Sequence, residues 1–284
     1  MNTFGKIVIA FLLLFAVLHI TFTGKEQATR VFRLRDGKII TFEQMIGDLN
    51  KTNIILVGEL HDDQFHHRLE LAVIKALQDS GAPLAVGFEM FTAESQDDLN
   101  RWVNGRLPVD DFMKIYYRNW GMPWPLYSGI LLYMRDHKIP AVGLNIPPEI
   151  SEKVASSGFS ALSLKELGTL PPGISCTVNE RYITFIQRAY RSHSENDKFL
   201  HFCEAQILWD KAMAWNVIEF LKRDRSRTVV VVAGTGHSWK RGIPDQIRDL
   251  SKKLSYKVIL PEVPDEIEPN NMTIDDADYI LLRE

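Results

Sequence analysis

Four short stretches of this sequence place acidic, imidazole or amide side chains directly after an apolar run, each beside a glycine or proline. Ile54-Ile55-Leu56-Val57 leads into Gly58-Glu59-Leu60-His61, and Leu84-Ala85-Val86 into Gly87-Phe88-Glu89-Met90. Val142-Gly143-Leu144 leads into Asn145-Ile146-Pro147, and Val229 to Ala233 into Gly234-Thr235-Gly236-His237. Carboxylates and imidazoles move protons and hold metal ions near neutral pH, and glycine lets the backbone turn sharply and approach a ligand. If extended backbone continues past Val57, Glu59 and His61 share one face, because side chains alternate with a period of two. A single Glu or His beside a turn is more often a helix cap or a surface charge. Four such interruptions on separate apolar runs point to one shared site. His66 and His67 open the next helix, where one is expected to face the cleft and the other solvent. The spacing of 61, 66 and 67 matches no helical metal pair, which needs an i, i+4 separation.

The elements that must position these groups follow from the pattern. Continuous apolar runs rich in β-branched residues indicate strands covered on both faces, and amphipathic segments alternate with them. The fold class is therefore α/β, a mostly parallel sheet flanked by helices, with a smaller helical cap subdomain. Strands are expected at 53–57, 84–88, 141–144, 228–233 and 257–260, with 279–282 as a last one. Residues 63–79, 126–138 and 244–254 carry helical periodicity and suit crossovers. Val31 to Thr41 reads as a hairpin around Asp36-Gly37, and Thr41-Phe42-Glu43-Gln44 as a capping box. Residues 92–124 and about 148–222 hold long amphipathic runs without a strand and are assigned to the cap, the second broken by Pro171-Pro172-Gly173. Polar residues at the ends of parallel strands sit where open α/β sheets bind their ligands.

Several familiar devices fail. Gly234-Thr235-Gly236 follows a strand, but Trp239 replaces the third glycine of a dinucleotide fingerprint. Gly236-His237-Ser238-Trp239-Lys240 departs from the nucleophile elbow at its last position, and no phosphate-cradling P-loop sequence occurs. Tyr116 to Tyr127 packs many rings into a stretch whose prolines argue for a loop, and those rings either line a flat apolar pocket or plug a joint. The stripe of Trp209, Ala212, Met213 and Val217 reads as helix packing.

Composition narrows the class. The 284 residues are 45% hydrophobic and 24% charged, which excludes a disordered or collagenous chain. Thirty-three basic against 36 acidic residues give a net charge of −3, too balanced for a protein that grips nucleic acid. Cys176 and Cys203 allow one bridge or two free thiols. Residues 1–24 carry Lys6, then an apolar core from Ile7 to Leu18, the length of a signal-peptide core rather than of a spanning helix. An exported protein is expected, periplasmic or tethered to a membrane through this segment, with residues 30–284 as the folded domain.

Taken in order, the motifs resemble the ChaN-type haem-binding proteins, relatives of the Tiki and TraB proteins and, more distantly, of the erythromycin esterases. The resemblance spans residues 53–245. It rests on Gly58 to His61, on Gly87 to Phe91 with Gln96, on Tyr127 ahead of Gly143 to Pro147, on Glu204-Ala205-Gln206 with Trp209-Asp210 and Met213-Ala214, and on Gly234 to His237 with Gly242-Ile243-Pro244. It implies haem as ligand, a tyrosine on ferric iron, and a haem-linked homodimer in which a histidine and a lysine from the partner chain lie near the propionates. An outer-membrane haem receptor is an implied partner. Tyr127 is the implied iron ligand, with Tyr116, Tyr117 and Tyr182 as alternatives. His61 and His237 would belong to the haem site, with Lys240 and then Arg241 as propionate partners. The chain lacks the lipidation cysteine of lipoprotein members. The alternative is a hydrolase of the wider superfamily, a peptidase or esterase with or without a divalent metal, using Glu59, His61, Glu89 and His237.

Overall fold

Alternating burial along each strand organises the molecule. In the computed structural model, which describes residues 29–189 and 197–283, Ile54 and Leu56 enter one core while Ile55 and Val57 enter the other. Val229 and Val231 likewise oppose Val230 and Val232. Both faces of the sheet are therefore covered, as the unbroken apolar runs require.

The elements run β1 (Arg30–Arg33), β2 (Lys38–Thr41), α1 (Phe42–Asp48), β3 (Ile54–Glu59), α2 (Gln64–Asp79), β4 (Leu84–Thr92), α3 (Gln96–Val103), α4 (Val109–Asn119), α5 (Trp124–His137) and β5 (Ala141–Asn145). They continue with α6 (Pro148–Ser157), α7 (Leu164–Leu167), α8 (Glu180–Ala189), α9 (Asp197–Arg223), β6 (Thr228–Gly234), α10 (Thr235–Ser238), α11 (Ile243–Leu250), β7 (Tyr256–Pro261) and β8 (Tyr279–Leu281). One sheet has the order β2-β1-β8-β7-β3-β6-β4-β5. Strands β8 to β5 are mutually parallel, and the β1–β2 hairpin adds antiparallel at one edge. The hairpin and the capping box of Thr41 and Gln44 lie where the sequence places them.

The blocks 92–124 and 148–222 join α2, α5 and α11 in the helical layers that cover the two faces of the sheet. Helices α3 to α5 share their buried core with Val86 and Phe88, and α6 and α9 share theirs with Leu56 and Leu144. Among the described residues, neither block encloses a core apart from the sheet.

The aromatic stretch departs from expectation. Tyr116 to Asn119 end α4 and Trp124 to Tyr127 begin α5, so only residues 120–123 are loop. Pro123 caps α5 and Pro125 stands in its first turn, where the missing N–H has no intrahelical partner to lose. These prolines start a helix rather than prevent one. Trp102 stacks on Phe112 with ring centres 4.1 Å apart, and Trp124 meets both edge-on. Both cysteines are free and buried, and burial raises their thiols to about 12 for Cys176 and about 11 for Cys203.

The expected signal or anchor at 1–24 lies outside the described residues. Among the described residues, no helix is long and apolar enough to cross a membrane.

Candidate functional site

Strands β3 and β6 are neighbours, with Glu59 opposite Gly234. The chain leaves β3 toward α2 on one face and leaves β6 toward α11 on the other, since Val73 of α2 and Ile247 of α11 belong to opposite cores. Adjacent parallel strands whose connections diverge leave a crevice at their carboxyl ends. A cleft of about 570 Å³ opens there, and Glu59, His61, Glu89, Asn145, Gly234 and His237 all line it. The four strand ends singled out in the sequence thus meet at one place. A hollow of about 350 Å³ between the ends of α9 and α11 holds no imidazole or carboxylate in its lining.

Two parallel chains of polar contacts support the floor. The Nδ1 of His61 lies 2.6 Å from Glu59 Oε1, and the Tyr127 hydroxyl donates to the same oxygen at 2.5 Å. The Nδ1 of His237 lies 2.7 Å from Asp210 Oδ1, and the Tyr182 hydroxyl donates to Oδ2 at 2.7 Å. Glu59 and Asp210 are almost wholly buried. A carboxylate on Nδ1 fixes the tautomer and leaves Nε2 as the working atom. Glu89 stands between the imidazoles, accepting the Gly234 N–H at 2.8 Å and lying 3.7 Å from His237 Nε2. Gly234 leaves room for this approach. A Cβ there would fall 3.3 Å from His61 Nε2 and 3.6 Å from Glu89 Oε2.

Burial and neighbours oppose each other in setting the charges. Desolvation lifts the Glu59 carboxyl, but contacts with His61 and His67 outweigh it and lower it to about 2. Burial depresses His237, yet Glu89 and Asp210 raise it to about 9. His61 is raised in the same way by Glu59 and Glu89, and Asp210 is raised by burial despite His237. The Tyr127 phenol is pushed up strongly by burial and by the charge of Glu59.

Several expectations are revised. Neither His66 nor His67 faces solvent. His66 accepts the Leu60 N–H on Nδ1 and pins the loop before α2, whose first turn Asp63 caps, while His67 lies behind Glu59. Tyr127 is 1% exposed and stands behind Glu59 instead of on the cleft wall. Tyr116 is buried and donates to the Met122 carbonyl, and the Tyr117 hydroxyl accepts the Trp124 N–H. Lys240 is tied to the Ile274 carbonyl and Asp278, and Arg241 faces Asp245. Neither cation lines the cleft, because the helical turn that delivers His237 carries residues 240 and 241 past the rim. Trp209 lines the cleft and meets His237 edge-on, so it is more than helix packing. Trp120 also lines it, its ring perpendicular to His61 at 5.0 Å.

Glu70 and Asp210 are the residues that sequence reasoning left without a role. Glu70 lies on the buried stripe of α2 among Leu69, Val73, Ile74 and Leu77, and a carboxylate inside an apolar stripe is the signal that marks it. Asp210 shares the buried face of α9 with Met213 and Val217 in the same manner.

A family model described as haem-binding uptake, Tiki superfamily, ChaN matches residues 45–247. The fold is similar to that of ChaN of Campylobacter jejuni, whose structure is described as cofacial heme binding. The two superpose with a TM-score of 0.70 at 22% identity over 90% of this chain and 96% of that one. The chain is also 23% identical over 268 residues to the chloroplastic protein RETICULATA-RELATED 5 of Arabidopsis thaliana. That match covers 83% of this chain but only 36% of the plant protein, so the chain spans about a third of its relative's length.

Proposed function

The chain belongs to the haem-binding uptake family ChaN of the Tiki superfamily, and from that premise we propose that it binds haem in the cleft beside Trp120 and Trp209, with iron facing the Nε2 of His61. One observation carries this assignment. Of the four clustered imidazoles, only His61 is substantially open, its side chain 35% exposed against 0% for His66, 3% for His67 and 6% for His237. Its Nδ1 is engaged by Glu59, which turns Nε2 to the cleft and makes the ring a strong donor.

Leu60, Met122 and the two indoles offer the apolar surface a porphyrin needs. The carboxylates of Glu59, Glu89, Asp62 and Glu266 in the lining do not suit propionates, so those groups would point outward. Cations from a second copy across the open cleft would offset their charge, which makes a haem-linked homodimer part of the proposal. Export through residues 1–24, service in haem uptake and transfer to an outer-membrane receptor complete it.

Hemin titration of the purified chain tests the site. A saturable complex that is lost in His61→Ala and kept in Tyr127→Phe supports imidazole as the ligand. Loss in Tyr127→Phe with retention in His61→Ala would overturn it in favour of the phenolate.

A second reading is favoured by the paired imidazoles. His61 and His237, each backed by a carboxylate, flank Glu89, the composition of an open two-histidine, one-carboxylate centre or of a general acid–base pair. Ester or peptide turnover that disappears in Glu89→Gln would support a hydrolase, and its absence across added divalent metals would dismiss that reading.

A further inference from the structure

Behind the cleft floor, on the side away from the ligand, three buried side chains converge. Glu59, His67 and Glu70 each offer one ligating atom, and these atoms lie within 4.8 Å of one another. We propose that Glu59, His67 and Glu70 bind a divalent first-row metal ion, Zn²⁺ or Mn²⁺, behind the floor of the haem cleft, with Glu59 common to the cleft lining and the ion site.

Each of the three residues is already oriented by other contacts. His67 Nε2 lies 3.1 Å from the His61 carbonyl and donates to it, leaving Nδ1 as the inward atom. Metal-bound histidines are oriented in this way, the second ring nitrogen donating to a carbonyl or carboxylate. Glu59 uses Oε1 for Tyr127 and His61, while its Oε2 turns inward, 2.8 Å from His67 Nδ1 but out of line for a hydrogen bond. Glu70 brings Oε2 to 3.1 Å from the same nitrogen, and its Oε1 has no partner.

Two fully buried carboxylates thus each keep an unpartnered oxygen beside one imidazole. Both carboxylates face the same His67 nitrogen, and one imidazole carries at most one positive charge, so two adjacent buried carboxylates are left short of countercharge. A divalent cation neutralises both carboxylates and takes the lone pair of Nδ1. Ions of this class bind such ligands at about 2.0 to 2.2 Å, which sets the ligand atoms about 3.3 Å apart. The two oxygen-to-nitrogen separations, 2.8 and 3.1 Å, lie within tenths of an ångström of that spacing, and the three atoms together lie within 4.8 Å. Imidazole with carboxylate suits zinc or manganese and gives a thiol-seeking ion no advantage.

The site has a structural consequence for the cleft. An ion on Oε2 of Glu59 fixes the carboxylate whose Oε1 orients His61, so the metal would set the position of the proposed haem ligand without touching haem. The site itself does not depend on the haem reading.

The test uses the full chain purified without chelator. Elemental analysis is expected to give one zinc or manganese per chain, and chelation followed by Zn²⁺ or Mn²⁺ to lower and then restore the melting temperature. Glu70→Gln is expected to lose the metal while hemin still titrates, and Glu89→Gln to keep it. Absence of both bound metal and metal-dependent melting in the wild-type chain would overturn the proposal, whether or not the variants fold. Loss of the metal in Glu89→Gln with retention in Glu70→Gln would place the ion in the cleft and equally overturn it.

Discussion

The hydroxyl of Tyr127 and the imidazole of His61 share a single carboxylate oxygen, Glu59 Oε1, although Tyr127 is 68 residues away from Glu59 in the chain. The phenol holds the carboxylate that holds the imidazole. Tyr182 repeats the arrangement through Asp210 to His237. Two helices on opposite faces of the sheet, α5 and α9, thereby each supply one member of a phenol–carboxylate–imidazole chain or the acid at its centre.

Removal of the Tyr127 hydroxyl should loosen His61 without abolishing hemin binding. Tyr127→Phe deletes a charge-assisted hydrogen bond to a buried carboxylate, worth about 1.5 to 3 kcal/mol of stability. Urea unfolding should show that loss while the hemin complex keeps its iron ligand. A spectrum that reports a changed axial ligand would contradict the arrangement.

Hemin affinity should fall as pH drops. Iron and a proton compete for Nε2 of His61, and Glu59 with Glu89 raises that imidazole above its ordinary value near 6.5 despite burial. Binding should be strongest above the raised value and weaken below it, read by absorbance titration across pH 5 to 9. An affinity that is flat across this range would argue against imidazole ligation.

Stability of the metal-stripped chain should decline on the alkaline side. His237 is raised to about 9 in the folded protein by Glu89 and Asp210, against burial. The stabilisation is fully present below about 6.5, where the imidazole is charged in both states, and is lost as pH rises through 9. A shift of this size corresponds to about 3 kcal/mol at most. Denaturant unfolding at pH 6 and pH 9.5 should differ in that direction, and Asp210→Asn should flatten the difference.

Gly234→Ala should block the cleft while sparing the fold. The new methyl would stand 3.0 Å from His61 Cε1 and 3.6 Å from Glu89 Oε2, with side-chain ends rather than backbone as its neighbours. We expect hemin to bind roughly tenfold more weakly, about 1.4 kcal/mol, with the melting temperature nearly unchanged. Gly242→Ala is the contrast, because its methyl would lie 2.3 Å from the His237 carbonyl oxygen, a backbone clash that should destabilise the chain.

The sheet was readable because its signals are local. β-branched runs marked the core strands to within a few residues, and Glu59 meets His61 as expected, although through a turn that begins where β3 ends at Glu59 rather than through continued strand alternation. The prolines at 123 and 125 misled, since a proline reads the same in a loop and in the first turn of a helix. Lys240 and Arg241 follow His237 in sequence but do not line the cleft of their own chain. Closeness in sequence to His237 does not carry them into the cleft, and acidic partners on neighbouring segments hold them elsewhere.

From the sequence alone came the α/β class, the gathering of polar strand ends at the carboxyl edge, and the family to which the motifs belong, all encoded in spacings of a few residues. Only the folded chain decided which polar groups meet. Glu70 faces Glu59 and His67 because one helix face packs on one strand end, and His237 meets Asp210 because α9 covers the sheet face to which the turn after β6 leads. Such pairings depend on the rotation and depth of elements far apart in sequence. Burial then fixes charge and tautomer, since a polar group withdrawn from water takes its character from whichever partner packing brings within 3 Å.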